Sequence, residues 1–526
     1  MQRRSLLRGA ASATVALAAP RIGLAQAGRV LRVAPHADLS ILDPVWTLAY
    51  ITRNHGFMVF DTLYGLDAEF QPQPQMVAGH AVEEDGRLWR LTLRDGLIFH
   101  DGTPVLARDC VASIRRWWSA DAFGQTLAAA TDELSAPSDK EIRFGLKRPF
   151  ALLPTALAKA SPYMCAIMPE RLAVTPQTTQ VSEMIGSGPF RFLANERVPG
   201  AFSAWQRFDR YVPAPGANSF LAGGKRVHFD RVEWKILPEP GTAAAALQSG
   251  EIDWWEQPSP DMLPLLRRNR NVVIETIDPS GSIGVFRFNH QHAPFNNPAI
   301  RRAVLDAVDQ TPFMQAVAGE DPSLWQDRVG FFTPGTPMAS NAGMENLFGP
   351  RDLERSKREL AAAGYRGERV VLLAATNIEA INVMASVVGD LLKRLGMNVD
   401  YVATDWGTVM QRRTSQQPTE RGGWSAFVGT WSGYDLASPA VSISLRGNGG
   451  AAGGWLESPE IERLRSAWFE APDLAAQQRL CRELQVQAWH DVPFIPLGQW
   501  RTQTARRREI TDLPRGVPAF WGVRPA

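Results

Sequence analysis

Hydrophobic and polar residues alternate over residues 89–94, a pattern typical of a β-strand with one buried face. The pair Asp95-Gly96 then marks a turn, because glycine accepts backbone angles that other residues avoid. A short apolar run at residues 97–100 follows and is closed by a second Asp-Gly pair. Together the two apolar segments predict a β-hairpin.

Helical spacing of apolar residues begins shortly after this segment. Val111, Ile114 and Trp118 recur at intervals of three and four residues, which places them on one face of a helix. Farther along, the alanine-rich residues 242–248 predict a second helix, which Gly250 ends. An extended run follows that helix, so helices and strands alternate along the chain.

The second half of the chain repeats this alternation. Asn297 is placed to cap a helix whose first residue is Pro298. Residues 370–375 predict a buried strand, residues 379–395 a helix, and residues 398–402 another strand. Such a βαβ unit has parallel strands and a right-handed crossover. The pattern as a whole predicts an α/β protein.

Composition places the chain among ordinary globular proteins and excludes two kinds of partner. It has 526 residues, of which 45% are hydrophobic and 21% charged, and a length of that order suggests about three domains. The formal charge is +2, and it becomes −2 without residues 1–27, which hold four arginines and no acid. Such a balance gives no basic surface for nucleic acid or for direct binding to an anionic membrane.

The N-terminus predicts export. Residues 1–27 combine a basic head, an apolar stretch at residues 9–20 and the sequence Ala25-Gln26-Ala27, which is typical of a cleaved signal peptide. The pair Arg3-Arg4 followed by two leucines resembles a twin-arginine signal. A general secretory signal with a chance arginine pair is the alternative. Either interpretation places the protein in the periplasm after cleavage behind Ala27.

Cysteine chemistry contributes little to this picture. Cys110, Cys165 and Cys481 are far apart and odd in number, so they do not make a disulfide framework, and none has the spacing of a zinc or redox motif. We expect buried thiols, although the spacing leaves the disulfide state open.

Catalytic motifs are weak throughout. The glycine-rich residues 447–454 lack the Gly-Lys-Ser/Thr ending of a phosphate loop, so a flexible surface loop is favoured. In residues 429–433 the serine comes one place late for the nucleophile elbow of a serine hydrolase. His290 and His292 lie two apart after an apolar run and offer two ligands for a metal, but no third ligand stands nearby. None of these motifs therefore predicts an active site.

One long segment carries a family resemblance. Residues 88–104, with residues 109–117 after them, resemble the signature of the extracellular solute-binding proteins of family 5, which serve peptide and nickel ABC importers. Four further stretches agree with it: Leu42-Asp43-Pro44, residues 186–190, residues 246–253 and residues 288–303. These segments follow the family order over most of the chain.

The resemblance implies a two-lobed periplasmic-binding-protein fold of α/β class, with mixed sheets and an extra inserted domain. On this sequence, lobe I is expected at residues 28–60, 186–280 and 491–526, the inserted domain at residues 61–185, and lobe II at residues 281–490. The predicted βαβ unit then falls in lobe II, where the family has an α/β sheet.

The resemblance also implies where the solute binds. Peptide binders of the family use a Trp-x-x-Asp stretch in lobe II, whose aspartate pairs with the α-amino group of the ligand. Here Tyr434 takes the aspartate position and Asp435 comes one residue late, and such a shift in an extended segment turns a side chain to the opposite face. Either residue therefore remains a candidate. The predicted ligand-binding residues are Trp46, Thr47 and Tyr50 in lobe I and Trp431, Ser432, Gly433, Tyr434 and Asp435 in lobe II.

The implied function is that of an exported substrate-binding protein of an ABC importer. It is expected to close its lobes on a peptide-like small solute and to deliver that solute to permease subunits, as a monomer without a cofactor and without enzymatic activity. Two alternatives remain: a secreted hydrolase of peptides or glycans, and a nickel- or haem-type binder on the same fold, for which His290 and His292 are the sequence support.

Overall fold

The computed structural model describes residues 29–526 except Pro162, so the predicted signal peptide at residues 1–27 lies outside the described residues. The strands are β1 (Val30–Ala34), β2 (Tyr64–Leu66), β3 (Pro72–Pro74), β4 (Val77–Glu83), β5 (Leu88–Leu93), β6 (Thr131–Ser135), β7 (Glu141–Leu146), β8 (Phe190–Phe192), β9 (Phe202–Arg207), β10 (Arg231–Lys235), β11 (Trp254–Trp255), β12 (Val272–Glu275), β13 (Ser282–Phe288), β14 (Trp325–Gln326), β15 (Arg369–Ala375), β16 (Asn398–Thr404), β17 (Ala426–Ser432), β18 (Phe494–Trp500), β19 (Thr504–Arg507), β20 (Ile510–Thr511) and β21 (Arg524–Pro525).

Helices connect these strands throughout. They are α1 (Tyr50–Val59), α2 (Ala107–Ala120), α3 (Ala122–Ala130), α4 (Leu153–Leu157), α5 (Glu170–Ala173), α6 (Pro240–Ser249), α7 (Leu263–Arg267), α8 (Pro298–Ala307), α9 (Gln310–Ala318), α10 (Leu353–Ala362), α11 (Glu379–Arg394), α12 (Trp406–Arg412), α13 (Pro459–Phe469) and α14 (Leu474–Asp491).

A seven-stranded mixed sheet with the order β12-β19-β11-β1-β10-β9-β8 forms one lobe. Its central strand β1 pairs parallel with β10 and β11, whereas β9 and β19 run antiparallel to their neighbours. Alternation along β1 buries Leu31 and Val33 in the core. Trp205, Trp234 and Trp254 fill the same core.

A six-stranded mixed sheet with the order β14-β18-β13-β17-β15-β16 forms the other lobe. Strands β15 and β16 pair parallel around helix α11, which confirms the predicted βαβ unit. The predicted start of α8 is also confirmed: Asn297 accepts a hydrogen bond from the Ala299 N–H, and Pro298 is the first residue of the helix.

The predicted hairpin at residues 89–100 is wrong. Strand β5 does form, but it is an inner strand of a four-stranded sheet with the order β4-β5-β7-β6. Residues 97–104 instead make a tight loop, closed by a bridge between Ile98 and Pro104. Strand β5 instead pairs antiparallel with β4, which precedes it across residues 84–87, and with the more distant β7.

Two other predicted helices are confirmed. Helix α2 buries Ile114 fully and leaves Trp118 half-buried against the core. Helix α6 ends at Gly250, whose φ of 83° is left-handed, as a C-terminal cap requires. Local sequence therefore determines both helices.

The chain crosses between the two large sheets twice, at residues 276–281 and again at residues 501–503. The first crossing packs on the end of β18, directly before the second crossing, since Gln499 Nε2 donates to the Ser280 carbonyl oxygen at 2.7 Å. Gly281 has a φ of 59°, and a Cβ there would overlap the Trp500 carbonyl oxygen. The two crossings form a closely packed pair.

All three cysteines are buried free thiols, as the sequence predicts. Burial raises the pKa of each thiol, so none is activated for chemistry.

The glycine-rich residues 447–454, predicted as a flexible surface loop, pack closely on the protein at one position. A Cβ at Gly454 would overlap the Phe288 carbonyl oxygen. Across the described residues, no helix combines the length and the apolar character that crossing a membrane requires.

Candidate functional site

Three of the predicted site residues meet where the two large lobes touch. Tyr50 is the first residue of α1 in one lobe, and Ser432 ends β17 in the other. The Tyr50 hydroxyl donates to Asp435 Oδ2 at 2.6 Å and accepts from the Ser432 N–H at 2.8 Å. The lobes are therefore in direct contact through one phenol.

Asp435 is a buried carboxylate between the lobes. It is 2% exposed, no hydrogen bond of ordinary geometry reaches its Oδ1 atom from the described residues, and the Ser161 hydroxyl is a second donor beside the carboxylate. Burial raises its pKa, while the Tyr50 hydroxyl and the nearby Arg53 act in the opposite direction. A buried oxygen without a donor is energetically unfavourable, so this atom is poised to accept a hydrogen bond from a bound molecule.

Tyr434 has a different environment from Asp435. Its ring stacks on Phe220 with centroids 4.8 Å apart and lies 5.6 Å from the ring of Phe70. Burial and the nearby Asp278 carboxylate raise the pKa of its hydroxyl. The one-residue shift seen in the sequence thus gives the aspartate the polar contact between the lobes and the tyrosine an aromatic one.

Gly433 makes this arrangement possible. Its N–H donates to the Gly281 carbonyl oxygen at 2.8 Å, and its own carbonyl oxygen accepts from the Thr333 hydroxyl at 2.7 Å. A Cβ at this position would overlap the Ser280 carbonyl oxygen. The turn that carries Tyr434 and Asp435 therefore lies directly against a crossing segment.

The other predicted residues lie farther from this contact. Trp46 is half-buried and its N–H donates to the Asp43 carbonyl oxygen at 3.2 Å. The Thr47 hydroxyl accepts from the Ala49 N–H at 3.2 Å. Trp431 stands opposite Ile283 in the sheet and is half-buried. None of these contacts joins the Tyr50–Asp435 pair.

A polar chamber opens on one side of the contact, beside the crossing segments. It has an open volume of about 600 Å³. Its wall includes a hydrogen bond between His36 Nδ1 and Glu256 Oε1, which are 2.8 Å apart. The chamber is lined by His36, Tyr50, Arg53, Glu256, Gln257, Ile277, Asp278, Gly281, Ser282, Ser432, Thr502, Thr504, Gly516, Val517 and Pro518.

A larger, mostly apolar chamber opens on the other side, with an open volume of about 980 Å³. At one end stand Ser161 and Lys159, and the latter forms a buried ion pair with Asp121. The chamber is lined by Leu66, Phe70, Gln71, Pro72, Phe123, Leu152, Thr155, Lys159, Ala160, Ser161, Pro337, Met338, Tyr434, Ala437, Ser438, Val441, Trp468, Leu474 and Gln477. Apolar walls with a few polar groups are typical of a small-molecule site.

Arg53 of the polar chamber and Ser161 of the apolar chamber are joined by a hydrogen bond, and neither was predicted from the sequence. Arg53 lies one helical turn after Tyr50, and its guanidinium carbon is 4.7 Å from the centroid of the Tyr50 ring. The three-residue spacing from Tyr50 could have predicted that Arg53 faces the same side of the helix. Ser161 lies in a different part of the chain, and no sequence pattern relates it to the site.

The family follows from a comparison of the sequence with known proteins. The sequence profile of the bacterial extracellular solute-binding proteins, family 5, matches residues 71–453. The chain belongs to this family. Solute-binding proteins of family 5 bind and do not transform their solutes, so the secreted-hydrolase alternative is withdrawn, and the protein acts outside the cytoplasm.

Relatives of this family 5 protein cover its full length. A probable peptide ABC transporter periplasmic-binding protein of Sinorhizobium fredii is 37% identical, with 100% of each chain covered. A glutathione-binding protein of Pectobacterium atrosepticum is 22% identical, with 98% of this chain and 96% of the relative covered.

Solved structures confirm the two-lobed fold of the family 5 protein. A dipeptide-binding protein from Pseudoalteromonas in complex with Met-Leu has a TM-score of 0.77 and 19% identity, with 95% of this chain and 100% of that chain covered. A binding protein from A. tumefaciens in complex with agropinic acid has a TM-score of 0.78 and 19% identity, with 94% and 99% covered.

The two histidines considered for metal binding do not form a site in this solute-binding protein. The ring of His290 is buried with Nε2 3.1 Å from the Pro493 carbonyl oxygen, whereas His292 Nε2 lies 2.9 Å from the Gln416 carbonyl oxygen. Burial holds the pKa of His290 well below its usual value. Within the described residues, no three histidine, cysteine or acidic side chains come together to hold a metal.

Proposed function

We propose that this protein captures a peptide-like small solute by lobe closure and delivers it to the permease subunits of an ABC importer. The observation that carries the proposal is the Asp435 carboxylate, which is buried between the two lobes, accepts from Tyr50 of the polar chamber and lies beside Ser161 of the apolar chamber. The peptide-transporter name of the relative that is 37% identical supports the same solute class.

The proposed binding site combines a polar neck with an aromatic wall. Tyr50, Ser432 and Asp435 form the neck, where Asp435 Oδ1 accepts a hydrogen bond from a cationic group of the solute. Tyr434 lines the apolar chamber, and Gly433 places both side chains. We keep Trp46, Thr47 and Trp431 as proposed contacts to the solute outside this neck.

The hinge of the proposed motion is the pair of crossing segments. Strand β18 belongs to the six-stranded sheet, although the predicted boundary at residue 491 assigned it to lobe I. We therefore place the return crossing at residues 501–503 and keep the other predicted boundaries as proposals. The protein works as a monomer without a cofactor, and it reaches the membrane only through the permease.

Solute binding is expected to make the protein more compact. Lobes that close about a hinge move as rigid bodies, so the radius of gyration falls when the open form becomes the closed one. Small-angle scattering of the purified exported protein, with a panel of free amino acids, dipeptides and tripeptides, measures this change. A member of the panel that binds without any compaction would contradict closure, and a panel with no binder would contradict the solute class.

Export is expected to depend on the arginine pair at the N-terminus. Replacing Arg3 and Arg4 by lysine blocks the twin-arginine route, because that route requires the pair itself and not only positive charge. Cell fractionation measures the precursor, and N-terminal sequencing of the periplasmic protein should begin at Gly28. Normal export of the double-lysine variant would indicate the general secretory route.

A further inference from the structure

The two chambers are built by different parts of the chain. Every described residue that lines the apolar chamber lies in residues 66–161 or in residues 337–477, which fall within the proposed inserted domain and lobe II. None of these lining residues belongs to the seven-stranded sheet. The polar chamber instead takes most of its lining from the lobe of that sheet and from the crossing segments. The inserted domain and lobe II therefore face each other across the apolar chamber.

The inserted domain also touches lobe II directly beside this chamber. The rings of Phe123 and Phe150 lie 5.7 and 6.3 Å from the ring of Phe469, which ends α13. Arg148 and Glu470 form an ion pair between the same two parts of the chain. Since Phe123 is also a wall of the chamber, this contact bounds the chamber at one end.

The walls of the chamber leave apolar surface uncovered. Phe70 and Leu152 of the inserted domain and Val441 of lobe II are only half-buried. Covering such surface with an apolar group lowers the free energy, because water is released from both. Lys159 is the one charged side chain among the described lining residues, and its ammonium forms a buried ion pair with Asp121. The chamber therefore matches an apolar group, and its cation is already paired.

Phe70 holds its ring at this chamber in a strained backbone conformation. Its φ is 63°, in the left-handed region that bulky residues rarely adopt. Asp67 fixes the turn, because its Oδ1 atom accepts from the N–H groups of Glu69 and Gln71 at 3.0 and 2.8 Å. The centroid of the Phe70 ring lies 5.6 Å from that of Tyr434 in lobe II. Strained residues cluster at ligand sites, so this conformation supports a role for the ring in binding.

We propose that the inserted domain and lobe II together enclose an apolar group of the solute in this chamber, so that a branched aliphatic or aromatic side chain is selected over a small or a charged one. The inserted domain thereby takes part in recognition, and Phe70 is a residue that determines specificity. The inference rests on the proposed function and narrows its solute class. An open volume of about 980 Å³ is ample for such a group.

Probes with matched backbones test this side-chain preference by calorimetry on the purified exported protein. Alanine, leucine, phenylalanine and lysine are each presented as the free amino acid, the dipeptide and the tripeptide. Within one length the termini are identical, so differences in affinity report the side chain. At the length that binds most tightly, the leucine and phenylalanine compounds should bind at least about thirtyfold more tightly than the alanine compound, because at least three further carbon atoms leave water. The lysine compound should bind no more tightly than the alanine compound, because burial of an unpaired ammonium is unfavourable.

Variants assign the preference to the two walls. Phe70→Asn removes the ring and introduces a residue that tolerates a left-handed backbone. It should weaken binding of the leucine and phenylalanine compounds at least about tenfold and leave the affinity of the alanine compound within about threefold. Leu152→Ser should show the same selectivity and replaces the first variant if that one fails to fold. Val441→Thr makes the corresponding test in lobe II. Glu84→Asn, at an exposed residue of the inserted domain whose φ is 50°, is the matched control.

The outcomes separate this inference from the function on which it rests. Binding of the alanine compounds as tight as that of the leucine and phenylalanine compounds would overturn the inference and leave the proposed function intact. Equal losses for all side chains in the Phe70 and Leu152 variants would show that the inserted domain supports the fold or closure only, which also overturns it. A selective loss in Val441→Thr alone would exclude the inserted domain from recognition. Failure of every probe to bind would contradict the proposed function itself.

Discussion

Asp435→Asn is expected to weaken binding of a solute with a free amine by about 2 to 5 kcal/mol, because the cationic group of the solute then loses its buried charged partner. The substituted amide would keep the shape of the side chain and a carbonyl oxygen for the Tyr50 hydroxyl, which donates to Asp435 Oδ2 at 2.6 Å in the native protein. The contact between the lobes should therefore survive. Calorimetric titration with the tightest free-amine binder of the peptide and amino acid panel measures the loss.

Tyr434→Phe is the matched control for the one-residue shift in the recognition segment. Its ring packs on Phe220 and Phe70 and its hydroxyl lies beside Ser280 and Asp278, so the substitution removes at most one neutral hydrogen bond to the solute, worth about 0.5 to 1.5 kcal/mol. A larger loss for Tyr434→Phe than for Asp435→Asn would assign recognition to the phenol and contradict the present view of the site. Equal and negligible losses would mean that residues 431–435 are not the recognition segment.

Lys225→Met is expected to destabilise the fold by about 3 to 5 kcal/mol, because it leaves the carboxylate of Asp61 buried and unpaired by any cation. Both side chains of this ion pair are at most 1% exposed, and Lys225 Nζ lies 2.7 Å from Asp61 Oδ1. The Tyr211 hydroxyl, which donates to Asp61 Oδ2 at 2.9 Å, would be the remaining side-chain donor to that carboxylate. Equilibrium denaturation monitored by circular dichroism measures the free energy of unfolding.

The same change at an exposed pair is the control for this stability effect. Lys357 pairs with Glu354 at 2.7 Å on the surface of α10, where water screens both charges, so Lys357→Met should leave the unfolding curve nearly unchanged. The double variant Lys225→Met with Asp61→Leu should recover much of the lost stability, because it removes the buried charge as well. A Lys225→Met protein as stable as the native one would contradict the expected cost of leaving this buried carboxylate without its cation.

The sequence by itself determined the local elements and the family. Helix α8 begins where Asn297 and Pro298 predict, helix α6 ends at Gly250, and β15, α11 and β16 form the predicted βαβ unit. These features depend on side chains close together in sequence, whose capping, turn and burial preferences act locally. The family motifs are likewise contiguous segments, so they can be recognised without a structure.

Only the tertiary structure decided which distant segments meet. Strand β5 pairs with the preceding strand at residues 77–83 and with the distant residues 141–146, not with residues 97–100 as the predicted hairpin required, and β18 joins the six-stranded sheet beyond the predicted boundary at residue 491. At the site, Tyr50 and Asp435 are 385 residues apart in sequence, and Arg53 reaches Asp435 through Ser161. Local sequence preferences do not predict such contacts, because they arise from the packing of two lobes against each other. The buried polar groups of the site can likewise be identified only from the tertiary structure, because it is this packing that excludes water from them.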